Sequence, residues 1–202
     1  THAIVCPGND THSLFPQHIA QAKARQCTLQ MLRVKPPAGY RLPGAVMSDL
    51  SLARYEGFAS LPAAQALRAR LQAEQGEYLA AGIHLIAVQS ADGSLVVGDS
   101  HVYGDAEAPF ASAEVDTLML AEMHRVLRVP GAEVSERWTG SYVSSDDVVF
   151  AVSPQRGVAL GMVTGGTGAS TGFAFGQELL YLACHSESQS LDLSAKTTIA
   201  HA

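Results

Sequence analysis

The chain has 202 residues, of which 47% are hydrophobic and 16% are charged, with 13 basic and 19 acidic side chains and a formal net charge of −6. This length can bury a substantial core, and the hydrophobic content excludes a disordered chain. The acidic balance argues against a nucleic-acid-binding protein, which needs a basic stripe. The charged fraction lies below the roughly 25% typical of soluble domains, which indicates that a partner, a cofactor or missing chain covers part of the surface.

Strands and helices are mixed along the chain, which predicts an α+β or α/β fold. The predicted strands are residues 2–6, 27–34, 83–89, 95–99, 133–142, 148–152 and 157–163. The predicted helices run from Thr11 or Ser13 to Ala24, from Pro62 to Ala80, from a Ser112 cap to Leu127, and from Phe173 to Cys184. Residues 91–94 predict a hairpin turn, and Met119 and Met123 are expected to fill the core.

The ends of the chain and its cysteines bear on the compartment. Cys6, Cys27 and Cys184 are too widely spaced for a disulfide framework or a CxxC metal site, so we expect free thiols in a reducing, cytoplasmic compartment. We expect neither a signal peptide nor a membrane span. The first residues open inside an apolar strand pattern without Met, which predicts a cleaved or trimmed chain.

The strongest local motif is a Gly-rich turn, TGGTGASTG from Thr164 to Gly172, between the last predicted strand and the last predicted helix. Its glycines let a ligand approach the backbone, and a helix N-terminus attracts an anion or an electron-rich carbonyl. The GxGxxxG spacing is not the dinucleotide fingerprint, and a P-loop Lys is absent. The chain ends soon afterwards, so we expect this turn to close a ligand site built mostly elsewhere. A plain strand-to-helix connection is the alternative.

An ordered set of segments resembles the glycine oxidase / D-amino acid oxidase group of flavoenzymes. The segments are PGND at residues 7–10, LQMLR at 29–33, VGDSH at 97–101, ERWTGSY at 136–142 and the Gly-rich turn. More narrowly, the order resembles the branch of that group found with bacterial phosphonate-degradation genes. The resemblance implies an α+β flavoenzyme with a discontinuous FAD-binding domain and a mixed-sheet substrate domain.

The resemblance also implies that this chain is the C-terminal portion of a longer protein, because the family's N-terminal βαβ unit with its GxGxxG is absent. Residues 1–22 and 150–187 would belong to the FAD-binding domain, residues 23–149 would form the substrate domain, and residues 188–202 would be a polar tail. We expect the isolated chain to be colourless and inactive. Its uncovered surface would associate with the missing N-terminal segment or with a second copy.

FAD is the cofactor that the resemblance implies, and the Gly-rich turn would lie against the flavin. The helix N-terminus at Thr171 and Gly172 would favour negative charge on the flavin ring. In the group that the sequence resembles, the flavin takes a hydride from the carbon beside the amine and needs no side-chain base, so the resemblance implies no catalytic acid or base. The expected cofactor-binding residues are Gly165, Gly166, Thr167, Gly168, Ala169, Ser170, Thr171 and Gly172.

The resemblance also bears on the substrate. Residues 138–142 match a family stretch that reads Trp, any, Gly, any, Arg, in which the Arg binds the carboxylate of an α-amino acid. Tyr142 stands at that Arg position, which favours a different head group. The implied reaction is oxidation of a small amine, such as 2-aminoethylphosphonate or its N-methyl form, to the imine and aldehyde, with oxygen as acceptor. Arg137 and His101 are the expected cations for a phosphonate, although Arg137 could face solvent.

The expected substrate site has six residues, His101, Tyr103, Arg137, Trp138, Tyr142 and Met31. Asp99, His101 and Tyr103 have the period-two spacing of one strand face, so they could line a pocket together. A polar exposed face is the alternative for these three residues, and a core position is the alternative for Trp138. Asp99 and His101 lack a third ligand, so we expect no metal.

A second hypothesis belongs to another class. The chain could be a non-catalytic module that binds a small anion through the Gly-rich helix start, His101 and Arg137. That hypothesis predicts that a ligand stabilises this chain with no cofactor present. Under either hypothesis we expect a small-molecule partner and neither nucleic acid nor membrane.

Overall fold

The computed structural model describes residues 1–185, so the predicted tail at 188–202 lies outside the described residues. The chain divides into two compact units. The continuous unit is Cys27–Ser141, and the split unit joins Thr1–Gln26 to the chain from Tyr142 onward. Both units combine helices with sheet, which confirms the predicted α+β class. The assignment of FAD-binding and substrate roles to parts of the chain stays a prediction.

The continuous unit is built on a six-stranded sheet. Its strands are β2 (Arg25–Lys35), β3 (Val46–Met47), β4 (Ile86–Gln89), β5 (Leu95–Gly98), β6 (Val102–Gly104) and β7 (Glu133–Ser144), of which β2 and β7 run past the unit's ends. Their order in the sheet is β3-β4-β5-β2-β6, and β7 also pairs with β2. Its helices are α2 (Asp49–Leu52), α3 (Glu56–Ala59), α4 (Pro62–Glu74), α5 (Gly76–Ala80) and α6 (Ala113–Val126). The predicted hairpin at residues 91–94 joins the antiparallel strands β4 and β5.

Helix α6 begins where the sequence predicts, because Ser112 caps it. The Ser112 Oγ accepts a hydrogen bond from the Val115 N–H, and acidic residues in the first turn and basic residues in the last turn suit the helix dipole. Met119 and Met123 are fully buried on its inner face, as predicted. They join a core drawn from the sheet and the short helices, which includes Leu32, Leu50, Leu71, Ile83, Leu85 and Val97.

The split unit has a three-stranded sheet with the order β1-β9-β8. It is formed by β1 (Ala3–Val5), β8 (Val149–Gln155) and β9 (Val158–Val163), with β1 parallel and β8 antiparallel to β9. Helix α1 (Pro16–Ile19), a 3-10 turn (Ala20–Ala22) and helix α7 (Gly168–His185) complete the unit. No helix within residues 1–185 has the length and hydropathy that a bilayer crossing requires.

Strand β9 packs differently on its two faces because successive side chains alternate. Leu160 and Met162 contribute to one buried cluster, with Ile19 of α1. Ala159 contributes to the other cluster, with Leu179 of α7. Gly161 lies on this second face, where a Cβ would be 2.6 Å from Leu179 Cδ1. Small residues in β9 therefore let α7 lie close against the sheet around Leu179.

The first predicted helix is wrong in extent. It was expected from Thr11 or Ser13 to Ala24, but α1 is one turn long and begins at Pro16. The polar residues before it form a turn instead, because the Asp10 carboxylate accepts hydrogen bonds from the N–H groups of His12 and Ser13. Phe15, with a φ of 53°, then sets the chain direction before Pro16 starts the helix.

Candidate functional site

The Gly-rich turn leads into α7 earlier than predicted. The helix begins at Gly168 rather than Phe173, so Thr171 and Gly172 lie inside its first turns and not at its N-terminus. The hydroxyls of Ser170 and Thr171 donate to the Thr167 carbonyl at 3.0 and 2.9 Å. Both hydroxyls thus find their acceptor within the helix, whereas the sequence pattern indicated a loop. Of the predicted cofactor segment, only residues 165–167 are outside the helix.

The turn is anchored to the segment between β7 and β8 by Thr164, which is 2% exposed. The Thr164 N–H donates to the Val148 carbonyl at 3.0 Å, and the Ser145 N–H donates to the Thr164 carbonyl at 3.3 Å. The Thr164 hydroxyl also donates to the Asp147 carbonyl. Three hydrogen bonds therefore hold Thr164, the residue directly before the first glycine.

The glycines of this turn are not required by the chain's own conformation or packing. None of Gly165, Gly166, Gly168 and Gly172 has a left-handed φ. Among the described residues, a Cβ would meet nothing within 4 Å at Gly165 or Gly172, and its nearest contacts at Gly166 and Gly168 would be 3.9 Å away. Alanine would therefore fit at all four positions, so the run of glycines is explained better by a ligand that needs bare backbone.

The turn fits one end of a flavin because its glycines leave the backbone uncovered. The first N–H groups of an α-helix have no acceptor within the helix, and they carry partial positive charge. Gly166 also lies beside Tyr142, because a Cβ there would be 3.9 Å from the Tyr142 Oη. The split unit thus brings Tyr142, a predicted substrate residue, to the predicted cofactor segment. Residues 165–168 are those that would hold the ring system.

The second candidate cluster lies in the continuous unit, around His101. Its imidazole side chain is 3% exposed. Nδ1 lies 3.0 Å from the Gly82 carbonyl oxygen, which can only accept, so Nδ1 carries the proton. Nε2 is therefore an acceptor, and it receives a hydrogen bond from Arg54 Nη1. The other Arg54 nitrogen, Nη2, donates to the Tyr103 hydroxyl at 2.9 Å.

Two further titratable groups border this cluster. The ring of His84 meets the ring of His101 edge to face, with centroids 5.0 Å apart. The Asp99 Oδ2 lies 3.6 Å from His101 Nε2. His84 and Asp99 also exchange two backbone hydrogen bonds, of 2.9 and 3.0 Å, which fix the carboxylate beside the two imidazoles.

Burial decides the charge of these groups. It lowers the pKa of His84 to about 4 and that of His101 to about 3, with the Arg54 charge acting in the same direction. Burial raises the pKa of Asp99 to about 6, although the Arg54 charge opposes this shift. Near neutral pH both imidazoles are therefore uncharged. Among the residues named here, Arg54 and Asp99 are the charged ones.

Two expectations about this cluster are corrected by the structure. Asp99 and His101 lie in the loop after β5, and only Tyr103 lies in a strand, so they do not share a strand face. The rings of His101 and Tyr103 nevertheless stack, with centroids 6.3 Å apart. His101 is also not an available cation, because it is buried, uncharged and engaged at both ring nitrogens.

Arg137 is exposed on β7, where its Nε donates to the Asp116 Oδ2 at 2.7 Å. The other Asp116 oxygen accepts from Gln30 Nε2 at 2.9 Å. Gln30 in turn bonds the backbone of Ser112 through both ends of its amide, at 2.7 and 3.0 Å. Arg137 is therefore part of a network that supports the start of α6, and it is not the uncommitted cation that the sequence predicted.

The remaining predicted substrate residues have different surroundings. Met31 on β2 packs over Gly98, its partner on β5, where a Cβ would be 2.7 Å from the Met31 Cε. Trp138 is 37% exposed, which excludes a core position. The roles predicted for both residues in substrate binding stay predictions. Among residues 1–185, no group of three or more His, Cys, Asp or Glu side chains is placed to hold a metal ion.

Sequence reasoning missed Arg54 and His84. Arg54 follows the one-turn helix α2, and 47 residues separate it from His101. No local spacing connects two residues so far apart. The available signal was the histidine inside an apolar strand pattern at residue 84, because a buried histidine needs a hydrogen-bond partner.

Comparison with known proteins identifies the family. Residues 2–182 match the DAO family, which is described as FAD dependent oxidoreductase. This match spans most of the chain, so the protein belongs to the family of FAD-dependent oxidoreductases. FAD, the cofactor predicted from the sequence, is confirmed as the cofactor of that family. None of the curated proteins that were compared with the sequence matches it.

Solved structures of glycine oxidases share the fold. Glycine oxidase from Bacillus cereus ATCC 14579 has a TM-score of 0.62 and 12% identity, and the match covers 95% of this chain and 44% of that chain. Glycine oxidase from Geobacillus kaustophilus has a TM-score of 0.51 and 12% identity, covering 82% and 37%. The sequence thus spans less than half the length of these glycine oxidases. At this identity the likeness shows the fold alone.

Proposed function

We propose that this protein is part of an FAD-dependent oxidoreductase that oxidises the C–N bond of a small amine. The observation that carries the proposal is the match of residues 2–182 to the FAD-dependent family. The bare backbone at residues 165–168 supports it, because a planar cofactor needs such a surface at close range. The sequence resemblance to the glycine oxidase / D-amino acid oxidase group points to amines among the possible substrates.

The reaction we propose removes two electrons and a hydrogen from the carbon beside nitrogen. A flavin held at residues 165–168 would supply the hydride acceptor for this reaction, with oxygen as the final oxidant and hydrogen peroxide as its product. As the hydride leaves carbon, the amine nitrogen gives up a proton to solvent and an imine forms; water then releases the aldehyde, together with ammonia from the primary amine or methylamine from the N-methyl form. This chain's contribution is to orient the reactants and to polarise the flavin ring. The partial positive charge at the N-terminus of α7, beside Gly168, favours negative charge on a neighbouring ring.

We propose an aminoalkylphosphonate, such as 2-aminoethylphosphonate or its N-methyl form, as the substrate. The argument begins at Tyr142, which lies where the resembling family has an Arg that binds the carboxylate of an α-amino acid. Tyr142 lies beside Gly166 of the proposed flavin segment, so this position is close to where an amine would react. A phenol offers a hydrogen bond but no positive charge, which disfavours an α-carboxylate at this point.

The organisation of the whole protein is part of the proposal. We propose that residues 1–22 and 150–187 belong to the FAD-binding domain, that residues 23–149 bind substrate, and that an N-terminal nucleotide-binding segment completes the enzyme. We also propose a reducing, cytoplasmic location. The cysteines support it, because Cys6, Cys27 and Cys184 form no disulfide within residues 1–185.

Anaerobic titration of the full-length flavoprotein tests the function. Adding 2-aminoethylphosphonate without oxygen is expected to bleach the visible flavin bands, and admitting oxygen is expected to restore them with release of hydrogen peroxide. Glycine and sarcosine are the comparison substrates. Bleaching by glycine or sarcosine but by no phosphonate amine would contradict the phosphonate substrate. Bleaching by none of these amines would contradict amine oxidation.

A further inference from the structure

A cavity of about 220 Å³, the α1 cavity, lies in the split unit against α1 and the 3-10 turn that follows it. All of its lining residues belong to the segment Thr1–Gln26, so the cavity is formed within this unit alone. One water molecule takes up about 30 Å³, and drug-sized ligands occupy pockets of about 300–1,000 Å³. The cavity is therefore large enough for a small organic molecule.

The wall of the α1 cavity is mostly apolar. Its apolar lining residues are Pro16, Ile19, Ala20 and Ala24. Ile19 is 2% exposed and belongs to a buried cluster with Leu160 and Met162, which fixes this part of the wall. The remaining lining residues are polar, namely Thr11, His12 and Lys23. An apolar wall with a few polar groups is the usual composition of a small-molecule site.

The polar side chains of the lining are uncommitted. Among residues 1–185, no hydrogen bond or ion pair engages the Thr11 hydroxyl, the His12 ring or the Lys23 ammonium. Arg137 differs in this respect, because its Nε donates to the Asp116 carboxylate. A donor without a protein partner can bond an acceptor on a ligand, and no contact within the protein is broken.

Lys23 keeps its side chain at a position that favours glycine. It ends the 3-10 turn with a φ of 49°, in the left-handed region, and its N–H donates to the Ala20 carbonyl. Glycine is the usual residue at such a position because it has no Cβ. Of the described residues other than glycine, only Phe15 and Lys23 have a positive φ. An unfavourable backbone conformation that is retained indicates that the side chain has a function.

The lining carries positive charge and no acidic side chain. Lys23 is its lysine, and no Asp or Glu is among the lining residues. Asp10 precedes the cavity in the sequence, and its carboxylate accepts hydrogen bonds of 3.0 Å from the N–H groups of His12 and Ser13. Asp10 and His12 attract each other, which leaves Lys23 as the lining cation that no described acidic residue pairs with. The lining therefore favours a ligand with one negative charge.

We propose that the α1 cavity binds a small organic carboxylate. The Lys23 ammonium pairs with the carboxylate, the Thr11 hydroxyl donates a second hydrogen bond, and the hydrocarbon body packs against Ile19. One lysine matches the single charge of a carboxylate, and the apolar wall favours a hydrocarbon body over a bare inorganic anion. The cavity shares no residue with the Gly-rich turn or the expected substrate site, and the proposal does not rest on the flavin chemistry.

NMR titration of the full-length protein with butyrate tests the inference, because this probe has a carboxylate and a short hydrocarbon chain. Isotope-labelled isoleucine methyl groups provide the readout, and Ile19→Val identifies the resonance of Ile19. We expect a saturable shift of that resonance, with a dissociation constant that is roughly millimolar for so small a ligand. Butanol lacks the charge and inorganic phosphate lacks the hydrocarbon chain, so both are expected to bind several-fold more weakly.

Lys23→Gln is expected to raise the dissociation constant for butyrate by roughly 5- to 10-fold, between the effects of an exposed ion pair and a charged hydrogen bond. Lys35→Gln is the matched control, because Lys35 is an exposed lysine outside the cavity. It removes the same charge and is expected to leave the constant unchanged.

Thr11→Val provides a second test if Lys23→Gln does not fold. It keeps the shape of the side chain, removes the hydroxyl, and is expected to weaken butyrate binding by roughly 2- to 5-fold. The inference would be overturned by the absence of a saturable shift of the Ile19 resonance in the wild-type protein. Equal dissociation constants for the wild-type, Lys23 and Thr11 variants would also overturn it, as would equally tight binding of butanol or of phosphate.

Discussion

Replacing Gly161 by Ala tests how α7 is held against its sheet. A Cβ at this position would lie 2.6 Å from Leu179 Cδ1 and 3.0 Å from Leu179 Cγ. Carbon atoms pack best at about 3.5–4.0 Å, so Leu179 would have to move by about 1 Å. Leu179 is 1% exposed and belongs to a buried cluster, so it has little room. Overpacking of this kind costs about 1–3 kcal/mol.

The expected net loss of stability is smaller than the packing term. Alanine restricts the unfolded chain more than glycine does, which returns about 0.4–1 kcal/mol where the backbone suits both residues. We therefore expect Gly161→Ala to destabilise the protein by about 1–2 kcal/mol. Each kcal/mol shifts the melting temperature by about 2–4 °C at this size, so the expected fall is about 2–8 °C by calorimetry.

Gly176→Ala is the matched control, because it makes the same chemical change in α7 with nothing described within 4 Å of the new Cβ. Alanine is favoured over glycine inside a helix by about 0.5–1 kcal/mol, so this variant should melt higher than the wild type. Leu179→Ala made together with Gly161→Ala should cost less than the sum of the two single changes. Equal shifts for both glycine variants, or strict additivity in the double variant, would refute the packing argument.

Three further predictions concern charge and the cofactor. Arg125→Gln should lower the free energy of unfolding in urea by about 2–3 kcal/mol. The reason is that Glu122, which is fully buried and accepts two hydrogen bonds from Arg125, loses its counter-charge. Adding Glu122→Gln to this variant should restore most of the lost stability. Burial raises the pKa of Asp99 to about 6. The folded protein therefore keeps a proton on Asp99 that the unfolded chain releases above about pH 4. The contribution of Asp99 to the free energy of unfolding falls as the pH rises between these two values. The free energy of unfolding of Asp99→Asn, measured in urea relative to the wild type, should therefore rise by roughly 2 kcal/mol between pH 4 and pH 7. A difference between the two proteins that does not change with pH would contradict this. Gly166→Val should leave the melting temperature of flavin-free protein unchanged but lower the flavin content of purified protein; full flavin content would show that the turn does not contact the cofactor.

The sequence predicted those elements whose pattern is set by neighbouring residues. Helix α6 has a Ser112 cap and a buried face with methionines, and the structure has both. The start of α7 was missed because Gly, Ser and Thr together indicate a loop. In the structure Ser170 and Thr171 bond back to Thr167 and satisfy the same groups within a helix.

The candidate site was predictable only in part, because its charges are decided by tertiary contacts. The spacing of His101 and Tyr103 predicted that they lie together, although the reason was wrong. The protonation of His101 could not be read from the sequence, since it depends on burial and on Arg54. The sequence predicts Arg137 as an available cation because its partner, Asp116, lies 21 residues away on another element.

We infer that this chain belongs to a functional flavoenzyme. The visible absorption spectrum of protein purified from the complete reading frame is the measurement that decides this. We predict the two absorption bands of oxidised flavin, with their loss when 2-aminoethylphosphonate is added without oxygen. A folded, full-length protein with neither band, even after incubation with FAD, would contradict the account.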